Sequence, residues 1–158
     1  MQTDKPDAPA VRVPPPLVYL AAVLAGWFLN AFVLPLPMAL PTPLRIAGSV
    51  VLILPGGMAA VAALRLFRQA KQDPTPWKPT TEIVSTGIYR FTRNPMYLGL
   101  ALMLAGLSIA MANLWLIALL PPVLVVIHAT AIRHEEAYLE QEFGERYLDY
   151  KRSVRRWI

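Results

Sequence analysis

Four apolar blocks alternate with short polar or proline-rich connections along the chain. The blocks cover residues 17–34, 44–66, 95–111 and 114–132. As helices they would be about 26 to 35 Å long, which is close to the thickness of the hydrocarbon core of a bilayer. The pattern therefore predicts an all-α integral membrane protein with about four transmembrane helices.

The connections between the blocks predict how these helices are arranged. The first connection, residues 35–43, contains four prolines and no charge, and the third, residues 112–114, is short enough only for a hairpin. The second connection, residues 65–93, is the one rich in Lys and Arg. By the positive-inside rule this loop is cytoplasmic, so both termini are predicted on the cytoplasmic side of a bacterial inner membrane.

Two breaks are predicted inside the apolar blocks. Pro55 is followed by Gly56 and Gly57 in the second block, which predicts a kink or loosening and close approach by a neighbouring helix. The pair Pro121 and Pro122 predicts a bend in the fourth block.

The two ends of the chain differ from the blocks. Residues 1–16 are polar and proline-rich, and we expect a disordered lead. Residues 133–158 combine charges with helically spaced apolar residues and predict an amphipathic cytoplasmic extension that breaks at Gly144. Residues 17–158 are thus expected to form one domain: a first helix pair (17–66), a cytoplasmic loop (67–94), a helical hairpin (95–132) and C-terminal helices (133–158).

Composition narrows the function classes. The chain is 56% hydrophobic with a net charge of +5, and its basic residues lie beside the apolar blocks, where they suit lipid head groups better than nucleic acid. It has no cysteine, which excludes a Cys-based zinc site and a cysteine nucleophile. No metal site is predicted, and the oligomeric state stays open.

The predicted hairpin brings two polar clusters together at the cytoplasmic surface, because two helices of similar length joined by a tight turn return the chain to its starting level. The clustered side chains are Arg93, Asn94, Tyr97, Arg133, His134, Glu135 and Glu136. Free backbone N–H groups at the start of the third helix suit a carboxylate or phosphate, and the glutamates suit an amine or a hydroxyl. An amino acid joined to a nucleoside would satisfy both ends.

Two segments carry a resemblance to a known family. GIYRFTRNPMYLG, an apolar hairpin and then EEAYLEQEFGERYLDYKRSVRRW resemble the isoprenylcysteine carboxyl methyltransferase and phospholipid methyltransferase superfamily over residues 85–158. Two departures are visible: Ile88 replaces the usual Pro, and Asn94 stands where the prenylcysteine enzymes usually have His. The second departure weakens prenylcysteine as the acceptor.

The resemblance implies a membrane enzyme that uses S-adenosylmethionine, and it implies roles for individual residues. The cofactor would be bound by Gly87, Tyr89, Arg93, Asn94, Pro95, Tyr97, Leu98, Gly99, Glu135 and Glu136. Catalytic roles would fall to Arg133, Glu135 and Glu136, and the acceptor would be held by Tyr147, Tyr150 and Arg156.

The expected function is methyl transfer from S-adenosylmethionine to a lipidic or amphiphilic acceptor, such as an isoprenylcysteine-type carboxylate, a phospholipid amine or a thiol. Two alternatives stay open at this point. One is an NADPH-dependent membrane reductase of the sterol reductase type, and the other is a membrane scaffold without enzymatic activity.

Overall fold

The computed structural model describes residues 8–11 and 13–158 and, within these ranges, is helical without named strands. Much of the lead predicted to be disordered, residues 1–7 and 12, lies outside the described residues. Of the described lead, Pro9 and Val11 are buried, and the first helix already begins at Pro15.

The helices follow the apolar blocks closely. Helix α1 covers Pro15–Phe28 and continues as a π-helical turn over Leu29–Val33, and α2 covers Thr42–Gln69. Helix α3 covers Pro95–Ala110, after a short 3-10 turn at Gly87–Arg90. Both α1 and α3 carry a proline in the first turn, where a missing N–H costs no helical hydrogen bond.

The returning arm of the hairpin is a chain of short helices in nearly continuous succession. They are α4 (Leu114–Ala118), α5 (Leu120–Ile127), a π-helical turn (His128–Ile132) and α6 (Arg133–Phe143). The interruption at Leu119 comes just before Pro121 and Pro122, near the expected bend. After Gly144 the chain forms α7 (Glu145–Ser153), so the predicted break at Gly144 is confirmed.

Three stretches of the described chain are helical, long and apolar enough to cross a membrane: Pro15–Val33, Thr42–Gln69 and Leu114–Phe143. The shorter apolar helix Pro95–Ala110 would measure about 24 Å. Their outer faces carry large exposed apolar side chains, for example Phe32 at 67% and Met58 at 70% exposure. The predicted fold class, an all-α integral membrane protein with about four spans, is confirmed.

Small residues let α2 and α3 approach closely. A Cβ atom added to Gly56 would lie 2.6 Å from the carbonyl oxygen of Gly99, so the two backbones touch at this point. The close approach predicted at Gly56 is therefore present, whereas Gly57 faces open space. Helix α2 continues through Pro55 without ending there.

On the other face of α3 lies the apolar core, formed where α1, α3 and α5 pack together. Leu104, Leu116, Ile127 and Ile132 are at most 2% exposed. At the hairpin end, the Asn113 side chain accepts from the N–H of Trp115 and donates to the carbonyl of Gly26, which ties the turn to α1. At the opposite end, where the polar clusters lie, the start of α3 comes within side-chain reach of α6.

Candidate active site

The chain enters α3 through a compact turn at the end of the loop that follows α2. Gly87 has a φ of 58°, a left-handed conformation that favours glycine, and it starts the 3-10 turn that contains Tyr89. Three residues before α3, the Thr92 hydroxyl accepts from the N–H of Asn94 at 3.2 Å. The turn therefore delivers Arg93 and Asn94 directly to the first turn of α3.

The returning helix α6 meets the start of α3, as the hairpin predicts. The Tyr97 hydroxyl donates a hydrogen bond to Oε1 of Glu135, and Tyr97 is itself anchored from the other side, because its carbonyl accepts from the Tyr19 hydroxyl at 2.9 Å. The two polar clusters thus form one site rather than two.

The two adjacent glutamates have different surroundings because successive residues on a helix point about 100° apart. Glu135 bonds to Tyr97 and faces a pocket. Glu136 does not line that pocket and instead accepts from Nε and Nη2 of Arg156 at 3.0 and 2.9 Å. Its carboxylate also lies 3.1 Å from Nη1 of Arg93 and 3.9 Å from Nζ of Lys151.

Arg93 is the buried cation of the site, with a side chain only 8% exposed. Arg93 lines the pocket, and its buried Nε has no hydrogen-bond partner among the described residues. A buried donor without a partner is costly. The geometry therefore leaves one donor for an acceptor that a ligand would bring.

The pocket lies between the end of α2, the start of α3, and helices α6 and α7, and it encloses about 800 Å³ of space, part of it open to solvent. This volume is in the range of small-molecule sites. Six aromatic side chains line it: Phe67, Tyr89, Tyr97, Tyr138, Tyr147 and Tyr150.

Helix α7 supplies two of these tyrosines. The Tyr150 hydroxyl donates to the carbonyl of Tyr89 at 2.8 Å and so ties α7 to the turn before α3. Burial, with a smaller contribution from the Glu136 charge, raises the pKa of Tyr147 to about 12. Burial also raises the pKa of Tyr150 above its usual value, so both phenols are neutral at physiological pH.

The loop after α2 covers the pocket. Residues 73–84 contribute several lining residues, and the N–H of Thr80 donates to the Tyr138 hydroxyl at 3.2 Å. Asp73 organises the start of this loop: hydrogen bonds from Thr75 and the neighbouring Lys78 ammonium, 2.9 Å away, hold the pKa of its carboxyl at about 2.

Sequence reasoning did not identify these covering residues, or Phe67 and Tyr138, as part of the site. For Tyr138 a signal existed, because a residue three positions after Glu135 lies on the same helix face. For the loop no local pattern indicates that it folds back over the pocket.

The site residues expected from the sequence fall into two groups. Those that line the pocket are Tyr89, Arg93, Asn94, Pro95, Tyr97, Glu135, Tyr147 and Tyr150. Those that lie outside its lining are Gly87, Leu98, Gly99, Arg133, Glu136 and Arg156. Their roles in binding or catalysis stay predictions.

The residues outside the lining have visible contacts of other kinds. Gly87 lies against Leu66, and Gly99 lies against the backbone of Gly56 in α2. Arg133 is exposed at the start of α6, while Arg156 is ion-paired with Glu136.

Comparison with known proteins identifies the family. The model of the phospholipid methyltransferase family matches residues 44–146, which include α2, α3 and α6. The chain belongs to the phospholipid methyltransferase family. The matched segment contains both parts of the site: the turn before α3 and the two glutamates of α6.

Individual relatives match over shorter stretches. A protein of Haemophilus influenzae is 40% identical over 65 residues, which are all of that protein and 40% of this chain. The protein-S-isoprenylcysteine O-methyltransferase A of Arabidopsis thaliana is 33% identical over 72 residues, 46% of this chain and 36% of the relative. For the protein-S-isoprenylcysteine O-methyltransferase of Schizosaccharomyces pombe the identity is also 33%, over 46% of this chain and 30% of the relative.

The match therefore spans about a third of the length of these methyltransferases. No solved structure matches the chain.

Proposed function

We propose that this protein transfers a methyl group from S-adenosylmethionine to a lipidic or amphiphilic acceptor at the cytoplasmic face of a membrane. The single observation that carries the proposal is the pocket in which a buried, unpartnered donor of Arg93 and the carboxylate of Glu135 share a wall of tyrosines. Membership of the phospholipid methyltransferase family supports methyl transfer as the reaction.

The polar groups of the pocket fit the cofactor at both ends. Arg93 Nε is available to the carboxylate of the amino-acid part, and a charge-assisted hydrogen bond of this kind is stronger than a neutral one. Glu135 offers acceptor oxygens to an amine or a ribose hydroxyl. The electron-rich faces of tyrosine rings favour a cation such as the sulfonium.

When bound, the cofactor supplies a methyl group that is already activated, so this chain has to align the acceptor and exclude water. Residues of the loop at 73–84 form part of the pocket wall and so contribute to separating a bound ligand from water. Glu135 would accept a proton if the acceptor is an amine or a thiol, while a carboxylate acceptor needs no base. Tyr97, which donates to Glu135, orients that carboxylate.

The acceptor class follows from where the pocket lies. Phe67, Met96 and Leu139 belong to its lining and come from the ends of α2, α3 and α6. Phe67 and Leu139 belong to stretches long and apolar enough to cross a membrane, so an amphiphile could keep its apolar part among the helices while its polar group enters the pocket. An isoprenylcysteine-type carboxylate, a phospholipid amine and a membrane thiol all meet this requirement.

The orientation of the protein is part of the proposal. The last turns of α2 and the loop that follows it carry Arg65, Arg68, Lys71, Lys78, Arg90 and Arg93. The positive-inside rule puts this loop, the pocket and α7 on the cytoplasmic side, in a bacterial inner membrane with both termini cytoplasmic. Residues 17–158 would act as one domain.

The test is transfer of a labelled methyl group from S-adenosylmethionine into total lipid and membrane-thiol extracts. We expect label in one extract with the wild type and at least a tenfold loss with Glu135→Gln or Arg93→Gln, since each removes a polar group of the pocket. Glu142→Gln, an exposed position on the same helix, is the matched control and should keep full activity.

Calorimetric titration separates the alternatives. The proposal expects binding of S-adenosylmethionine and S-adenosylhomocysteine by the detergent-solubilised protein. Binding of NADPH instead would favour a reductase. Absence of both ligand binding and label incorporation would favour a scaffold.

A further inference from the structure

Residues 154–158, which follow α7, are hydrogen-bonded to the turn that opens α3. The Arg93 N–H donates to the carbonyl of Arg155 at 3.0 Å. The carbonyl of Arg156 accepts from Oγ1 of Thr92 and from Nδ2 of Asn94, both at 3.0 Å. Three consecutive residues of the turn are therefore held by two consecutive carbonyls.

The Thr92 and Asn94 side chains are well protected from solvent. Thr92 is 3% exposed and Asn94 is 7% exposed. Because their partner is a backbone carbonyl, these bonds depend on where residues 154–158 lie rather than on which side chains they carry. Asn94 thus has a defined structural partner in addition to its position on the pocket wall.

Glu136 forms a second connection between the same two segments. Arg156 binds its carboxylate through both Nε and Nη2, while Nη1 of Arg93 lies 3.1 Å from the same carboxylate. Arg156 itself does not line the pocket, whereas Arg93 does. The Arg156 side chain can therefore influence a ligand through Glu136 and Arg93 without touching it.

The position of the Arg93 guanidinium matters because it carries the unpartnered donor. A fork-shaped guanidinium binds a carboxylate well only when its direction is fixed. Without Arg156, the Glu136 carboxylate would lose its bidentate partner and could rotate, and the Arg93 side chain would lose its fixed neighbour. Residues that support a ligand-binding side chain in this way contribute to affinity without touching the ligand.

We infer that residues 154–158 are a positioning element of the site, in which Arg156 acts through Glu136 to orient Arg93 toward the ligand. The inference rests on the proposed function, since the ligand in question is the cofactor. It assigns to Arg156 a role distinct from contact with the acceptor, and to Thr92 and Asn94 the task of holding the Arg156 backbone.

The experiment is calorimetric titration of S-adenosylmethionine and S-adenosylhomocysteine into the full chain in detergent. Arg156→Gln should weaken binding about tenfold, because it removes the bidentate pair. Arg156→Lys, which keeps the charge, should recover part of the loss. The matched control is Arg146→Gln: Arg146 is exposed on α7 and forms no ion pair among the described residues, so the affinity of this variant should stay within about twofold of wild type.

A double-mutant cycle separates positioning from general damage. If Arg156 acts through Arg93, then Arg156→Gln should have little further effect on cofactor affinity in an Arg93→Gln background. Independent, additive losses would contradict the inference, and so would wild-type affinity in Arg156→Gln.

Hydrogen exchange provides a readout that needs no ligand. Arg156→Gln should speed exchange of the amides of residues 92–94, while the amides of residues 100–106 inside α3 should be unchanged. Unchanged exchange at 92–94 would overturn the inference whatever the ligand. If the wild type binds neither cofactor form but the exchange result holds, the proposed function fails and the positioning role stands.

Discussion

Glu136→Gln is the substitution for which the structure gives the largest expected effect on stability. The Glu136 side chain is 9% exposed and is the shared counter-charge of Arg93, Arg156 and Lys151. Glutamine keeps the shape of the side chain but removes the negative charge. The buried Arg93 guanidinium then loses its one anionic neighbour among the described residues.

The size of the stability loss in Glu136→Gln can be estimated from how exposed the three cations are. Breaking a buried ion pair by removing one partner costs about 3–5 kcal/mol, because an uncompensated charge stays buried. Arg93 is 8% exposed and should contribute most of that cost, while Arg156 at 36% and Lys151 at 33% are partly screened by solvent. We therefore expect the lower end, about 3 kcal/mol, which corresponds to a fall in midpoint of about 6–12 °C for a chain of this size.

The assay is thermal unfolding of the detergent-solubilised protein, followed by helical circular dichroism. Glu142→Gln is the control, because Glu142 is an exposed residue of the same helix. We expect the control to shift the midpoint by less than about 2 °C. Equal midpoints for the two variants would refute the reasoning, since they would mean that the Glu136 carboxylate does not compensate the buried Arg93.

Two further predictions concern α2 packing and alkaline stability. Gly56→Ala should destabilise by about 1–3 kcal/mol because its Cβ would lie 2.6 Å from the Gly99 carbonyl, whereas Gly57→Ala, with open space around it, should be neutral or stabilising in the same unfolding assay. Equal effects would contradict the close approach. Burial raises the pKa of Tyr147 to about 12, so the stability that its neutral phenol contributes is complete below about pH 10 and is lost as pH rises toward 12. The melting midpoint of Tyr147→Phe should therefore fall less between about pH 9.5 and 11.5 than that of the wild type. An equal fall in both proteins would contradict the raised pKa of Tyr147.

The membrane-spanning helices could be predicted from the sequence because a bilayer imposes a length and a polarity on each of them. The first block, predicted at 17–34, is observed as Pro15–Val33, and the third, predicted at 95–111, is Pro95–Ala110. The meeting of Tyr97 with Glu135 also followed from the sequence, since a three-residue connection between helices of similar length leaves few arrangements.

The difference between Glu135 and Glu136 could not be predicted in this way. Both residues belong to the same charged run, and which of them faces the pocket depends on the rotation of α6 about its axis. That rotation is set by how the fully buried Ile127 and Ile132 in the preceding turns pack against residues of α1 and α3, which are distant in the sequence. Adjacent carboxylates therefore look equivalent in the sequence and differ in the structure.

Backbone acceptors are a second reason why part of the site is hidden in the sequence. The side chains of Thr92 and Asn94 donate to the carbonyl of Arg156. Because every residue has a carbonyl, no sequence pattern indicates which one accepts these hydrogen bonds. A motif residue such as Asn94 can consequently be read as a ligand contact when its amide in fact holds another segment. The turn before α3 is thus shaped jointly by its own Gly87 and by residues 154–158, which implies that a substitution that displaces that segment should alter a pocket the segment does not line.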